Sequence, residues 1–538
     1  MSWIGKIMSW QISRESEDTS NLVDSENLGC LESQDYVIES NSVVMKEKKI
    51  SDITLSQVLT AVVVSIGTFM MSYGLAYTSP ALISMSENST YFPVTSEEAS
   101  WIGSLMPMLA LPGGFVGGSM IEKIGRKATI EFSAVPFATA GLLIALAPRI
   151  EMIYLGRMLQ GFSIGALSVA IAIYLAETTH NSVRGTLAML PAVFGCLGIL
   201  LCYALGTFIG WRPLSAVSSL LGFVFFIFAH FLPQSPHWLI TKGRRDEAYE
   251  VLTSLRRQRF NVHEEIMSIE ISTTVDRTSC NYGSLIEPRN VKSLGICILL
   301  MLFQQLCGIN AVIFYSASIF KDAGSTLDEN VSSIIIGVVN LVSSTLAAVF
   351  IDRVGRRPLL ITSCLIMSLS LLSLGGYFYL KENDPVNMAR VGWIPLLLLM
   401  IIVGSFALGL GPVPWLLMSE IFSSDVRASA SAVAVAVNWS CVFAVTKVFP
   451  TLVAKFGSYL MFWSFAVVCS FGCFIIVLIV PETKGKTLEE IQNELNTDLS
   501  GTDSRDVTAS QTVNESSSNG HINQVIVSEC DNLSLESD

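Results

Sequence analysis

Glu122-Lys-Ile-Gly-Arg-Lys127 and Asp352-Arg-Val-Gly-Arg-Arg357 stand nearly half the chain apart and read alike: acid, base, aliphatic, Gly, base, base. Each is followed, in the same order, by an acid with an Arg seven residues on, Glu177 with Arg184 and Glu420 with Arg427. Each half then closes on a Pro-led stretch, Pro233-Gln-Ser-Pro236 in the first and Pro481-Glu-Thr-Lys484 in the second. The charged clusters all lie just beyond long apolar segments. Two fused copies of a membrane bundle produce this pattern, and parallel repeats of that kind build alternating-access carriers around a central site.

The composition agrees. Of 538 residues 51% are hydrophobic and only 14% charged, with a mean hydropathy of +0.55; a soluble chain carries about 25% charged residues. Twelve segments are long enough to cross a bilayer, which takes about 20 apolar residues: 58–80, 99–121, 128–148, 151–174, 186–209, 212–232, 292–320, 331–351, 359–380, 392–418, 428–452 and 457–480. They must be helices, because lipid offers backbone groups no partner. The expected fold is an all-α membrane protein with twelve transmembrane helices in two pseudo-symmetric six-helix halves, plus short cytoplasmic helices. The domains follow: an N-terminal tail 1–54, a first bundle 55–232, a cytoplasmic helical linker 233–291, a second bundle 292–488 and a C-terminal tail 489–538. Both tails are acidic, rich in Ser and Asn and poor in aromatics, and are expected to be disordered. Met1–Trp10 lacks the hydrophobic run and cleavage site of a signal peptide.

Net charge is −12, but the basic residues are placed selectively. Loops after segments 2, 4, 8 and 10 carry Lys123, Arg126, Lys127, Arg184, Arg353, Arg356, Arg357 and Arg427, and 233–291 adds more. The positive-inside rule puts these loops and both termini in the cytoplasm. The loop after segment 1 is then outside, where Asn88-Ser-Thr90 is a glycosylation sequon, with Asn88 the acceptor. Within 233–291, Arg244–Arg257 and Val262–Ser272 have helical periodicity and read as a brace under the bundle. Most of the eleven cysteines fall inside the apolar segments without metal spacing, and read as small core residues. No metal, cofactor or nucleic-acid partner is expected, and no nucleophile–base pair suggests an enzyme.

Arginine forks pair well with carboxylates. Arg126 and Arg356 lie in the turns that join segments 2 to 3 and 8 to 9, while Glu177 and Glu420 end segments 4 and 10. If those helix ends meet, the pairs form a cytoplasmic gate that breaks on opening. Inside the segments the polar residues are of another kind. No Asp or Glu lies at the centre of any segment, and a proton- or sodium-coupled carrier needs an intramembrane carboxylate. Arg157 and Lys447 are the cationic exceptions, read as lying near an interface or a partner. Segment 7 holds Gln304, Gln305, Gly308 and Asn310; segment 8 adds Asn340, segment 10 Gly409-Leu-Gly-Pro-Val-Pro-Trp415 and segment 11 Asn438-Trp439. Amides supply both donors and acceptors for neutral hydroxyls, and Trp faces suit the apolar face of a sugar ring. Polar residues also glue helices together, but five amides gathered in one half favour a binding site. The glycines and prolines of segment 10 would break its helix.

At these residues the chain resembles the sugar porter family of the major facilitator superfamily, over about 55–490. The motifs are Gln304-Gln-Leu-Cys-Gly-Ile-Asn310, Gly355-Arg-Arg357, Gly411-Pro-Val-Pro-Trp415, Asn438-Trp439 and Pro481-Glu-Thr-Lys-Gly485. The resemblance implies a major facilitator fold and a sugar as substrate. It places Gln304, Gln305, Asn310, Asn340, Trp415, Asn438 and Trp439 at the sugar site, and Arg126, Glu177, Arg184, Arg356, Glu420 and Arg427, with Glu482 of the Pro-Glu-Thr stretch, in the cytoplasmic latch. Four departures stand out. Ala192 replaces a sugar-contacting Gln, Ala407 replaces a Glu, Ser72–Pro80 lacks the Asp of proton-coupled members, and Pro233-Gln-Ser-Pro-His237 lacks the usual latch carboxylate. Ala76-Tyr-Thr-Ser-Pro-Ala-Leu82 and Leu190-Pro-Ala-Val-Phe-Gly195 are similar to insect facilitated trehalose transporters. The implied function is facilitated diffusion of a neutral sugar, trehalose or a hexose such as glucose, across the plasma membrane. The alternatives are a proton-coupled sugar symporter and a non-transporting sugar sensor. Besides the sugar, the lipid bilayer is the implied partner; a monomer is compatible with the sequence, which assigns no oligomeric state.

Overall fold

The computed structural model of the chain describes residues 54–87, 94–180, 187, 189–256, 262–279, 287–324, 328–422, 426–484 and 491. Among these, eleven helices are long and apolar enough to cross a membrane, and the shorter apolar helix Leu190–Gly206 makes a twelfth. Span 1 is Leu55–Ala76 continued by Thr78–Glu87, and spans 2 to 6 are Ser96–Lys123, Arg126–Ala145, Ile150–Thr178, Leu190–Gly206 and Trp211–His230. Span 7 is Pro288–Leu306 followed by Ile309–Ala323; spans 8 and 9 are Glu329–Val354 and Arg356–Asn383. Span 10 is Ile394–Leu408 followed by Val413–Ile421, and spans 11 and 12 are Arg427–Phe456 and Ser458–Ile479.

The duplication read from the charged turns recurs in the packing. Spans 2 and 4, 1 and 5, 3 and 6, and 3 and 4 form the first half; their counterparts six spans later, 8 and 10, 7 and 11, 9 and 12, and 9 and 10, form the second. The halves meet where span 2 lies on span 11 and span 5 on span 8, contacts that the same repeat exchanges. Each charged turn is closed by a glycine in the left-handed region, Gly125 at φ 96° and Gly355 at φ 106°, a conformation only Gly adopts without strain. Small residues let spans 2 and 4 approach to backbone contact: a Cβ on Gly161 would stand 2.0 Å from the Met106 carbonyl oxygen.

The 233–291 stretch contains the helices Pro236–Thr241, Arg245–Leu255 and Val262–Ser279. The first of these carries no periodicity signal, being six residues long. The group is tied to the N-terminal half. The Leu255 carbonyl accepts from Thr54 Oγ1 at 2.8 Å and Gln57 Nε2 at 2.9 Å, and the nearly buried Arg256 joins Glu265 at 2.6 Å while donating to Thr178 O at 2.9 Å. All eight described cysteines are free, and seven are buried, in line with a packing role.

Candidate functional site

Spans 7 and 10 are broken, and a side chain beside the first break reaches the second. Gly308, in the left-handed region at φ 84°, interrupts span 7, and a Cβ there would lie 2.4 Å from the Phe465 ring. Span 10 stops at Leu408 and resumes at Val413, as its glycines and prolines predict. A break inside a bilayer leaves backbone groups needing partners. Gln304 of span 7 supplies them: its Nε2 donates to Leu410 O at 3.0 Å and Gly411 O at 2.7 Å. Ser363 of span 9 takes part too, its Oγ accepting from Leu410 N at 3.1 Å and donating to Ser405 O at 2.8 Å.

From Gln304 the amides continue as a string. Asn438 Nδ2 of span 11 donates to Gln304 Oε1 at 2.8 Å, Gln305 Nε2 donates to the same oxygen at 3.4 Å, and Asn310 Nδ2 donates to Gln305 Oε1. Gln304, Gln305 and Asn438 are buried and Asn310 half-buried. The structure thus brings four of the seven expected residues into one network across spans 7, 10 and 11. Asn340 (half-buried, span 8), Trp415 (exposed, lower part of span 10) and Trp439 (half-buried, packed on the core) make none of these bonds.

Arg157 of span 4 is fully buried and has no carboxylate partner among the described residues. Its guanidinium donates to Ile102 O at 3.0 Å, Gly74 O at 2.8 Å, Gln160 Oε1 at 2.9 Å and Thr78 Oγ1 at 2.9 Å. These acceptors come from spans 1, 2 and 4 and none of them titrates in the physiological range.

The residues expected at the gate form two matching clusters, each inside its own half. Arg126 reaches Glu177 at 2.6 Å and also donates to Ile121 O at 3.4 Å; Arg356 reaches Glu420 at 2.9 Å and donates to Ile351 O at 3.2 Å. The far carboxylate oxygen accepts from Ser235 in the first cluster and from Thr483, at 2.6 Å, in the second. These hydroxyls were not singled out in the sequence, although each directly follows Gln234 or Glu482 in the duplicated stretch. Glu482 caps span 9, accepting from the backbone N–H groups of Arg356 and Arg357 at 3.0 Å each and of Lys484 at 2.9 Å. Partial burial raises its pKa, but these N–H groups outweigh that and hold the carboxyl below its ordinary 4.5. Gln234, which precedes Ser235 as Glu482 precedes Thr483, has its Oε1 buried with no hydrogen-bond partner among the described residues. Arg184, the Arg427 side chain and Asn88 lie outside the described residues.

Sequence reading also missed how the halves close. At the end away from the basic loops, Ser100 Oγ donates to Lys447 O at 2.7 Å, Tyr203 Oη to Ile313 O at 2.7 Å and Ala317 N to Ser79 Oγ at 3.1 Å, each joining one half to the other. Tyr315 sits over Gly103, where a Cβ would come within 2.5 Å of its hydroxyl. These contacts use common residues and backbone carbonyls, so no motif announces them.

Two six-helix halves joined by an internal repeat, with broken spans and an amide network between them, define a membrane carrier of the major facilitator kind. The Sugar (and other) transporter family model matches residues 60–495, and the chain belongs to that family. It is 44% identical to the facilitated trehalose transporter Tret1 of Culex quinquefasciatus, over 84% of this chain and 88% of that one. With Tret1 of Polypedilum vanderplanki the identity is 45%, over 82% of this chain and 88% of the relative. Among solved structures it is similar to the proton:xylose symporter XylE bound to 6-bromo-6-deoxy-D-glucose, at 27% identity and a TM-score of 0.68, covering 81% and 98% of the two chains. These relatives are named as transporters, in agreement with a carrier rather than an enzyme.

Proposed function

We propose that the chain is a facilitative carrier of a neutral sugar, with trehalose the first candidate and a hexose such as glucose the second, working by alternating access. The observation that carries this reading is the string Asn310–Gln305–Gln304–Asn438 laid against the span 10 break, built from amides and carbonyls with no acid in it. Such groups exchange hydrogen bonds with sugar hydroxyls at little electrostatic cost. Asn340, Trp415 and Trp439 complete the site when the sugar is bound. Arg157, met by neutral acceptors only, leaves no ion pair for a proton to break, which favours uniport over the proton symport for which the xylose relative is named. The Tret1 relatives support trehalose.

The Arg126–Glu177 and Arg356–Glu420 clusters, with Glu482, Arg184 and Arg427, form the cytoplasmic latch. Each pair braces its own half, and the assembled clusters meet when that side closes. The basic loops and both termini face the cytoplasm, the membrane is the plasma membrane, Asn88 carries a glycan, and a monomer suffices. Uptake of radiolabelled trehalose and glucose into oocytes, with and without a pH gradient, tests the reading. Saturable trehalose uptake indifferent to the gradient is expected; uptake of neither sugar overturns it.

A further inference from the structure

A groove of about 470 Å³ runs between spans 3 and 6 on the flank of the N-terminal half, between Ala134, Ala138 and Leu142 on one side and Ala216, Leu220 and Phe223 on the other. Its volume lies within the range of ligand pockets, about 300–1,000 Å³, yet it offers no polar group. The two hydroxyls in its lining are spent on the backbone, Thr139 Oγ1 on Pro136 O at 3.0 Å and Ser219 Oγ on Ala138 O at 2.7 Å. A sugar would gain nothing there, whereas a hydrocarbon chain would fill it.

The two ends of the groove differ. Toward the basic loops, Lys127 and His230 both face Glu131, at 3.9 and 3.5 Å. At the other end stands Arg212, one turn or about 6 Å before Ala216. It is exposed, stacks 4.8 Å from the Trp211 ring and donates to Ala147 O at 3.0 Å. Arg149, also exposed, lies two residues beyond Ala147. Glu151 follows in the first turn of span 4, but neither arginine forms an ion pair among the described residues. An apolar channel ending in two uncompensated guanidiniums matches a lipid tail ending in a phosphate.

We propose that this groove holds one glycerophospholipid of the leaflet opposite the basic loops, with an acyl chain between spans 3 and 6 and its phosphate on Arg212 and Arg149. Native mass spectrometry of the full chain in detergent with palmitoyl-oleoyl phosphatidylglycerol tests it. One adduct should survive activation that strips the other lipids. Removing both cationic contacts in Arg149→Ala/Arg212→Ala should lower that adduct about thirtyfold. Ala216→Leu, which fills the groove and keeps the arginines, should lower it as well. Dioleoylglycerol, which lacks a phosphate, should not be retained, and Lys127→Ala at the far end should leave the adduct unchanged. Undiminished retention in either groove variant, retention of the diacylglycerol, or equal loss in Lys127→Ala overturns the proposal.

Discussion

The Lys447 ammonium lies 3.8 Å from the centre of the Trp101 ring, fastening span 11 of one half to span 2 of the other. Together with Ser100 Oγ on the Lys447 carbonyl, it bonds this corner of the two halves twice. A cation held on an indole face contributes about 0.5–1 kcal/mol when exposed and about 2 when desolvated. Losing it should favour the conformation open on that side by several fold. Ser79, buried against Ala317 in the closed seam, gives a readout as Ser79→Cys. An impermeant maleimide should label that cysteine several times faster in a Lys447→Met background. An unchanged rate would mean that the seam is held elsewhere.

Gln304 holds the span 10 break by two bonds to carbonyls and joins it to Asn438. Gln304→Ala takes the partner from the buried Leu410 carbonyl, at about 1–3 kcal/mol, and from the half-buried Gly411 carbonyl, and removes the centre of the amide string. Uptake should fall tenfold or more while surface expression persists. Wild-type uptake would make these amides purely structural.

Arg356 and Glu420 are both largely buried, so removing Arg356 takes the facing cation from the Glu420 carboxylate. Arg356→Ala should lower the melting temperature of the solubilised protein and destabilise the state closed on the basic-loop side. The swap Arg356→Glu/Glu420→Arg should recover part of the loss, whereas additive damage in the swap would exclude direct coupling.

Gln234 marks where the two copies diverge. Gln234→Glu would place a carboxylate at the N-terminus of span 3, as Glu482 does for span 9, and should stabilise by about 0.5–1 kcal/mol. A rise in melting temperature at neutral pH checks this; a fall would mean that the first-half site cannot accept the charge.

Because the Glu482 pKa is depressed in the fold, its contribution is complete above the ordinary value of 4.5 and is lost as pH falls below it. Glu482→Gln should therefore melt lower than the wild type at pH 7, the gap closing toward pH 3. A constant gap would assign its role to packing.

Much of this architecture could be read from residue order. The repeated Gly-Arg turns announced two halves because only glycine tolerates the φ that Gly125 and Gly355 adopt. The amides of span 7 stood out because polar side chains are costly in lipid. Their joint target did not, since Leu410 and Gly411 take part through carbonyls that every residue possesses. Ser235 and Thr483 were hidden for a related reason: hydroxyls are common, and only the folded loop brings them onto Glu177 and Glu420. The seam away from the basic loops was the least legible, being a matter of fit between surfaces far apart in the chain.

Proteoliposomes containing the purified protein provide the most direct test of facilitated, uncoupled sugar movement. With trehalose outside and an inward proton gradient imposed, the internal concentration should rise to the external value and stop there, unchanged when the gradient is collapsed. Accumulation above the external concentration that depends on the gradient would contradict the account.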